Sequence, residues 1–232
     1  RCFGAALRWI LGLSLLFELI VSVIIRHRIL PLWVDYSGLH KIPNAYYWSR
    51  DLLFHGGRIQ GIVGNSNLLA MAAMFALIVF LVQLAARSQS RVRLGVWIAV
   101  AIGTLALTRS STVLAATVVA LAVGAFVLIV RALHGRRRIV AYIVGAVVGA
   151  AGVAVVLIER APILALLNKS SDLTYRGEIW AAVVKLAAQR PVAGWGWISY
   201  WTPWAQPYQG LIEHGGVTYL QAHDAWLDVF LQ

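Results

Sequence analysis

The chain has 232 residues, of which 60% are hydrophobic and 12% charged, with a formal net charge of +11. Soluble domains carry about a quarter charged residues, so the surplus apolar surface points to a bilayer as solvent. Nucleic acid is excluded by how the charge is distributed: from Leu52 to Ile158 there is no Asp or Glu, and the bases there sit mostly in short clusters between apolar runs, as in membrane loops.

The first apolar run, Trp9–Ile25, is long for a signal-peptide core and no small-residue cleavage site follows it, so it reads as a membrane span. Glu18 lies inside it, where an acid more often pairs with a neighbouring helix than acts chemically. The connection 26–67 then leads into a second run, Leu68–Ala86. Leu94–Leu107, Thr112–Val130 and Ile139–Ile158 follow, and a sixth run opens at Ala225 with AWLDVFLQ. A straight span needs roughly 20 residues for a 30 Å hydrocarbon core, and isolated strands cannot cross a membrane. The predicted fold is all-α: a polytopic transmembrane helix bundle in a single membrane domain. It has about five spans (9–25, 68–86, 94–107, 112–130, 139–158), the start of another at 225, and a long segment at 159–222. The chain begins at Arg1 without Met and ends inside an apolar, helix-like stretch, so it reads as an internal fragment of a larger membrane protein. Its single cysteine, Cys2, excludes an internal disulfide framework.

Orientation follows from the short loops. RSQSRVR (87–93) and RALHGRRR (131–138) hold seven arginines and no acid, which predicts that both are cytoplasmic. Alternation then puts 26–67, the turn TRSST (108–112) and 159–222 on the outer side. Arg58, Arg109, Arg176 and His223 all fall there. The third run, with 14 residues at 1.5 Å each, reaches only about 21 Å, which predicts a turn recessed below the outer surface with Arg109 between helices. Arg109 there faces a cavity or an anionic partner, or else snorkels to headgroup phosphates.

In the outer segment Ile179, Val183 and Leu186 fall on one helical face, and Arg190-Pro191 ends the helix. Such a helix can lie in the membrane interface. Six of the ten tryptophans occur between Trp180 and Trp226. An aromatic belt at the headgroup level accounts for them, and stacking on the apolar C–H face of a pyranose is the sharper alternative. Gly194 and Gly196 alternate with Trp195 and Trp197, which suggests a tight backbone turn rather than a phosphate loop.

The order DLTYRGEIWAAVVKLAAQRPVAGWGW followed by AHDAWLDVFLQ resembles the O-antigen ligase and polymerase family, including exopolysaccharide polymerases. The matching positions are Arg176, Trp180, Arg190-Pro191, Gly194-Trp195-Gly196 and His223. GRIQGIVGNSNLLA (57–70) resembles the family's Arg-x-x-Gly entry to a span, and LTRSSTVLAA (107–116) its Ser-Arg turn. Two positions depart from the pattern. Asp224 stands where the family has Asn, and the turn reads Ser110-Ser111 with its arginine displaced to Arg109.

The resemblance implies transfer of a glycan from a polyprenyl diphosphate-linked donor to a saccharide or glycolipid acceptor. It places the reaction on the outer face of the bacterial cytoplasmic membrane, with the lipid bilayer as partner and no cofactor or metal. The residue chemistry suits that demand. A departing diphosphate gathers negative charge, which guanidinium groups hold bidentately without losing their proton. An acceptor hydroxyl needs a base poised near neutral pH, and imidazole fits. Arg176 and His223 are the expected catalytic residues. Arg58, Arg109, Asp224, Trp180 and Arg190 are the expected substrate-binding residues, with Asp224 orienting His223 or binding sugar hydroxyls. No His/Cys cluster has dependable metal spacing. The rival reading is a polytopic transporter or flippase of lipid-linked or anionic substrates, for which ionisable residues spread through several spans are expected. Here the polar residues gather at the outer ends of the spans.

Overall fold

The structure is a computed structural model that describes residues 2–32, 36, 42–158, 176–198, 200–214 and 217–232. The first part of the predicted outer segment, 159–175, lies outside the described residues. Five helices are long and apolar enough to cross a membrane. They are α1 (Cys2–Ile20, continued by a π-helical turn Val21–Ile25), α2 (Ser66–Ala85), α3 (Arg91–Thr108), α4 (Ser111–Ala132) and α5 (Gly135–Ile158). Among the described residues, two short helices follow, α6 (Arg176–Ala187) and α7 (Ala225–Leu231), with a hairpin of two-residue strands, β1 (Glu213–His214) and β2 (Val217–Thr218), between them.

The third helix differs from expectation. It takes in Arg91, Val92 and Arg93 and so has 18 residues, about 27 Å at 1.5 Å each. Arginine is a good helix former, and its long side chain lets a charged first turn sit at a membrane boundary. Most of the shortfall that recessed the 108–112 turn is thereby removed.

The chain divides into two compact units, 1–154 and 155–232. In the first, α2 packs against α1, α3 and α4. The buried residues of α1 are Gly4, Leu7, Leu11, Ser14 and Glu18. That spacing of three and four forms a single stripe, the seam by which one helix meets its neighbours. On α2, Ala70, Ala73 and Ala76 are fully buried beside Leu69 and Phe80, and such small side chains let backbones approach closely. No residue in the span window of α5 is buried, and its contact with α4 is made where Phe126 meets Tyr142 and Gly145, so most of its apolar surface is free for lipid or other helices.

Between α1 and α2 the chain folds back over the end of α1. Glu18 is 1% exposed, and its carboxylate is saturated by this connection: Oε1 accepts from the backbone N–H of Gln60 (2.9 Å) and Gly61 (2.7 Å), and Oε2 from the Ser49 hydroxyl (2.9 Å). The acid in the first span therefore holds a loop, not a neighbouring helix. Gly61 has φ +61°, and a Cβ there would come within 2.6 Å of Ser14, so the close approach requires glycine.

The second unit has its own core of Ile179, Val183, Leu186 and Ala187 from α6, with Trp201, Tyr208, Ala222 and Leu231. The predicted apolar face of α6 exists, but it is spent on this protein core and not on a membrane interface. The helix stops at Ala187, three residues before the Arg190-Pro191 breaker.

Candidate active site

In the second unit, α6 begins with Arg176, and His223 sits one residue before the N-cap of α7. That N-cap is Asp224, whose Oδ1 accepts from the backbone N–H of Trp226 (3.0 Å) and Leu227 (3.1 Å). A carboxylate so placed satisfies donors that the helix itself cannot. The departure from Asn to Asp thus keeps a capping side chain at the residue after His223.

His223 has φ 53°. Arg26 and Arg109 also have positive φ, but both are helix C-caps, where the left-handed conformation is usual. His223 is not, and such a residue persists only where its neighbours over-determine it. Here they do. Ala222 donates its N–H to Asp228 Oδ1 (2.9 Å) and accepts from the Trp180 indole N–H (3.1 Å). The Tyr219 ring meets the imidazole edge-to-face at 5.8 Å between centroids.

The electrostatics of the ring favour its neutral form. His223 titrates below the usual imidazole range because of partial burial first and the positive charge of Arg176 second, with the carboxylate of Asp228 opposing both. The opposing acid is Asp228, one turn into α7, and not the adjacent Asp224. Arg176 and His223 are therefore close enough to sense each other's charge. On the same helix Glu178 reaches His214 of β1, Oε2 to Nδ1 3.9 Å.

Trp180 and Arg190, expected to bind substrate, have structural partners. Trp180 clamps Ala222 as described. The Arg190 guanidinium lies over the Trp195 ring at 4.1 Å, a cation–π contact. Trp195 in turn donates its indole N–H to Leu186 O (3.0 Å) and its backbone N–H to Leu231 O (3.0 Å). The predicted tight turn at 194–197 is a clasp joining the ends of α6 and α7. Gly194, with φ +61°, lies so close to the backbone of Gln232 that a Cβ there would strike it.

In the first unit, Arg58 donates from Nε to Thr108 O (3.1 Å) and from Nη2 to Asn67 Oδ1 (2.6 Å), and Ser110 Oγ donates to the same Asn67 oxygen (2.9 Å). Arg58 is thus tied to the α3–α4 turn that carries Arg109. Arg109 is exposed, not enclosed between helices, and its guanidinium reaches towards Gly56. Arg50, which the sequence reading missed, completes the patch. Its Nε donates to Gln60 Oε1 (3.2 Å), and its charge, after burial, is the second cause lowering the pKa of Arg58. Since Gln60 also donates its N–H to Glu18, the buried acid anchors the loop that presents Arg50 and Arg58. The only signal in the sequence was Glu18's place on the same stripe as Leu7, Leu11 and Ser14.

Replacing Glu18 with alanine leaves two backbone N–H groups and a hydroxyl unpartnered, each costing about 1–3 kcal/mol when it stays buried. The detergent-solubilised Glu18→Ala protein is expected to melt several degrees lower, and its 47–64 loop to be cut faster by protease. Glu18→Gln, which keeps an acceptor for the two N–H groups, should recover most of the loss. An Ala variant melting like the wild type would show that the loop holds without this anchor.

Among the described residues, no three His, Cys, Asp or Glu side chains gather as metal ligands would. A family model described as O-antigen ligase matches residues 96–232, more than half of the chain, taking in Arg109, Arg176 and His223. No curated protein and no solved structure matches it.

Proposed function

Because the chain belongs to the O-antigen ligase family, we propose that it moves a glycan from a polyprenyl diphosphate carrier to a hydroxyl of a saccharide or lipid-core acceptor, on the outer face of the bacterial cytoplasmic membrane. The five apolar helices make it a multi-pass membrane protein. The arginine-rich loops at 87–93 and 131–138 support the outer placement of the site by the positive-inside rule.

The observation that carries this reading is the seating of His223 immediately before the N-cap of α7, in a left-handed backbone fixed through Ala222, where burial and the charge of Arg176 lower its pKa. In the proposed step His223 accepts the proton of the acceptor hydroxyl while the acceptor oxygen bonds to the anomeric carbon. The bond from that carbon to the diphosphate oxygen breaks, and the diphosphate leaves with the electron pair. Arg176 offers a planar pair of N–H donors where this negative charge develops, and charge stabilisation of that kind is usually the largest catalytic contribution. Arg58 and Arg109 are assigned to anionic groups of the donor on the strength of their guanidinium chemistry. Trp180 and Asp224 act by seating His223.

The test is to supply the full-length solubilised protein with a defined polyprenyl diphosphate oligosaccharide and a sugar acceptor. The expected product is the oligosaccharide joined at its reducing end to the acceptor, with free polyprenyl diphosphate released. Since guanidinium groups supply the positive charge, a chelator is expected to leave the rate unchanged. Release of the lipid diphosphate without a new glycosidic bond, or no reaction with any lipid-diphosphate donor, would contradict the proposal.

A further inference from the structure

Within the second unit, a cavity of about 240 Å3 is lined by Trp197, Tyr200 and Trp201 together with Gln221 and Asp228. It adjoins the proposed base through Asp228. This residue's Oδ1 fixes Ala222, and its charge is felt by the His223 ring. Trp197 is 81% exposed, so its indole makes little contribution to the core of the unit. Trp201, by contrast, is buried and lines the same cavity.

The lining combines aromatic rings, the apolar side chains of Ile198, Leu220, Ala225 and Val229, and the planar polar groups of Gln221, Asp228 and Gln232. Gln221 offers an amide that both donates and accepts, and an ionised Asp228 accepts only. A pyranose has the matching surfaces, an apolar C–H face and a rim of hydroxyls. Other occupants fit less well. A carboxylate in the wall repels the donor's diphosphate, and burying an amide and a carboxylate against an acyl chain leaves them unpaired at high cost.

We propose that this cavity is a subsite for the terminal pyranose of the acceptor, next to the loop of the proposed base His223 that Asp228 holds. The acceptor assignment rests on the glycan-transfer reading, because a base acts on the acceptor and not on the departing diphosphate. Asp228 then serves two ends, holding the His223 loop and accepting from a sugar hydroxyl.

The experiment uses saturation-transfer NMR on the full-length solubilised protein with methyl glucoside, methyl galactoside and methyl N-acetylglucosaminide, alongside transfer kinetics. At least one pyranoside is expected to receive saturation from the wild type. Trp197→Ala should lose it, Gln221→Ala should weaken it, and Trp226→Ala, an exposed tryptophan that does not line the cavity, should keep it. In transfer, Trp197→Ala should raise the acceptor KM on the order of tenfold, the scale of one lost aromatic contact, and leave the donor KM unchanged. Trp197→Phe should recover part of the affinity. If the wild type binds none of the pyranosides, or Trp197→Ala and Gln221→Ala both keep wild-type binding and acceptor KM, the subsite does not exist. If the wild type binds a pyranoside at Trp197 but transfers no glycan, the cavity stands and the transfer reading falls.

Discussion

Replacing His223 with alanine is expected to lower turnover by roughly 10²–10⁴-fold, the range that a positioned general base contributes. Donor affinity should be nearly unchanged, because the proposed contacts to the diphosphate are guanidinium groups and not the imidazole. The structure favours a base over a binding role for two reasons. A ring that bound diphosphate would need its proton, yet partial burial and Arg176 both push His223 towards the neutral form. Its backbone is held left-handed next to an Ala222 fixed on both sides, and its ring meets Tyr219 edge-to-face. The sign of the pH dependence follows. Activity is present where the ring is neutral and falls as pH drops through a pKa below the usual imidazole value of about 6.5. Asp228→Asn, which removes the charge favouring imidazolium, should move that acid limb lower still. Donor affinity and turnover measured separately check the assignment. An alanine variant that loses donor binding but turns over normally at saturating donor would make His223 a binding residue.

Arg176→Lys is expected to cut transfer by about 10²–10³-fold, as the loss of one positioned charge-stabilising donor does elsewhere. Lysine keeps the charge but not the planar fork that matches a phosphate bidentately. Stability should hardly change. Arg176 opens α6, and a cation in the first turn of a helix is mildly unfavourable, whereas Glu178 one step on suits the same dipole. An arginine there gains nothing from the helix dipole, so activity lost without a lowered melting point marks a functional group. The check pairs transfer rate with thermal unfolding of the same preparation. Near-wild-type transfer would reduce Arg176 to a contact with lipid headgroups.

Much of the architecture is legible in the sequence because it rests on local pattern. Long apolar runs gave the five spans, three-and-four spacing gave the buried face of α6, and Arg190-Pro191 marked where that helix could not continue. Arg176 and His223 were legible as motif residues. What escaped depends on how loops fold. Glu18 meets Gln60 and Gly61, more than 40 residues away, only because the α1–α2 connection turns back over the helix end. Arg50 joins Arg58 by the same fold. Asp228 acts on His223 from one turn into α7 only because it also fixes Ala222. The capping role of Asp224 was within reach, since an Asp immediately before an apolar run is an N-cap signal.

The claim that Arg176 and His223 act as one site is tested most directly by the acid limb of the pH–rate profile for glycan transfer in the wild type, Arg176→Lys and Arg176→Gln. Arg176 holds down the His223 pKa by its charge. The limb should therefore stay near its wild-type position in the Lys variant and move to higher pH in the Gln variant, whatever the loss in absolute rate. A Gln variant whose acid limb coincides with that of the wild type would contradict the account.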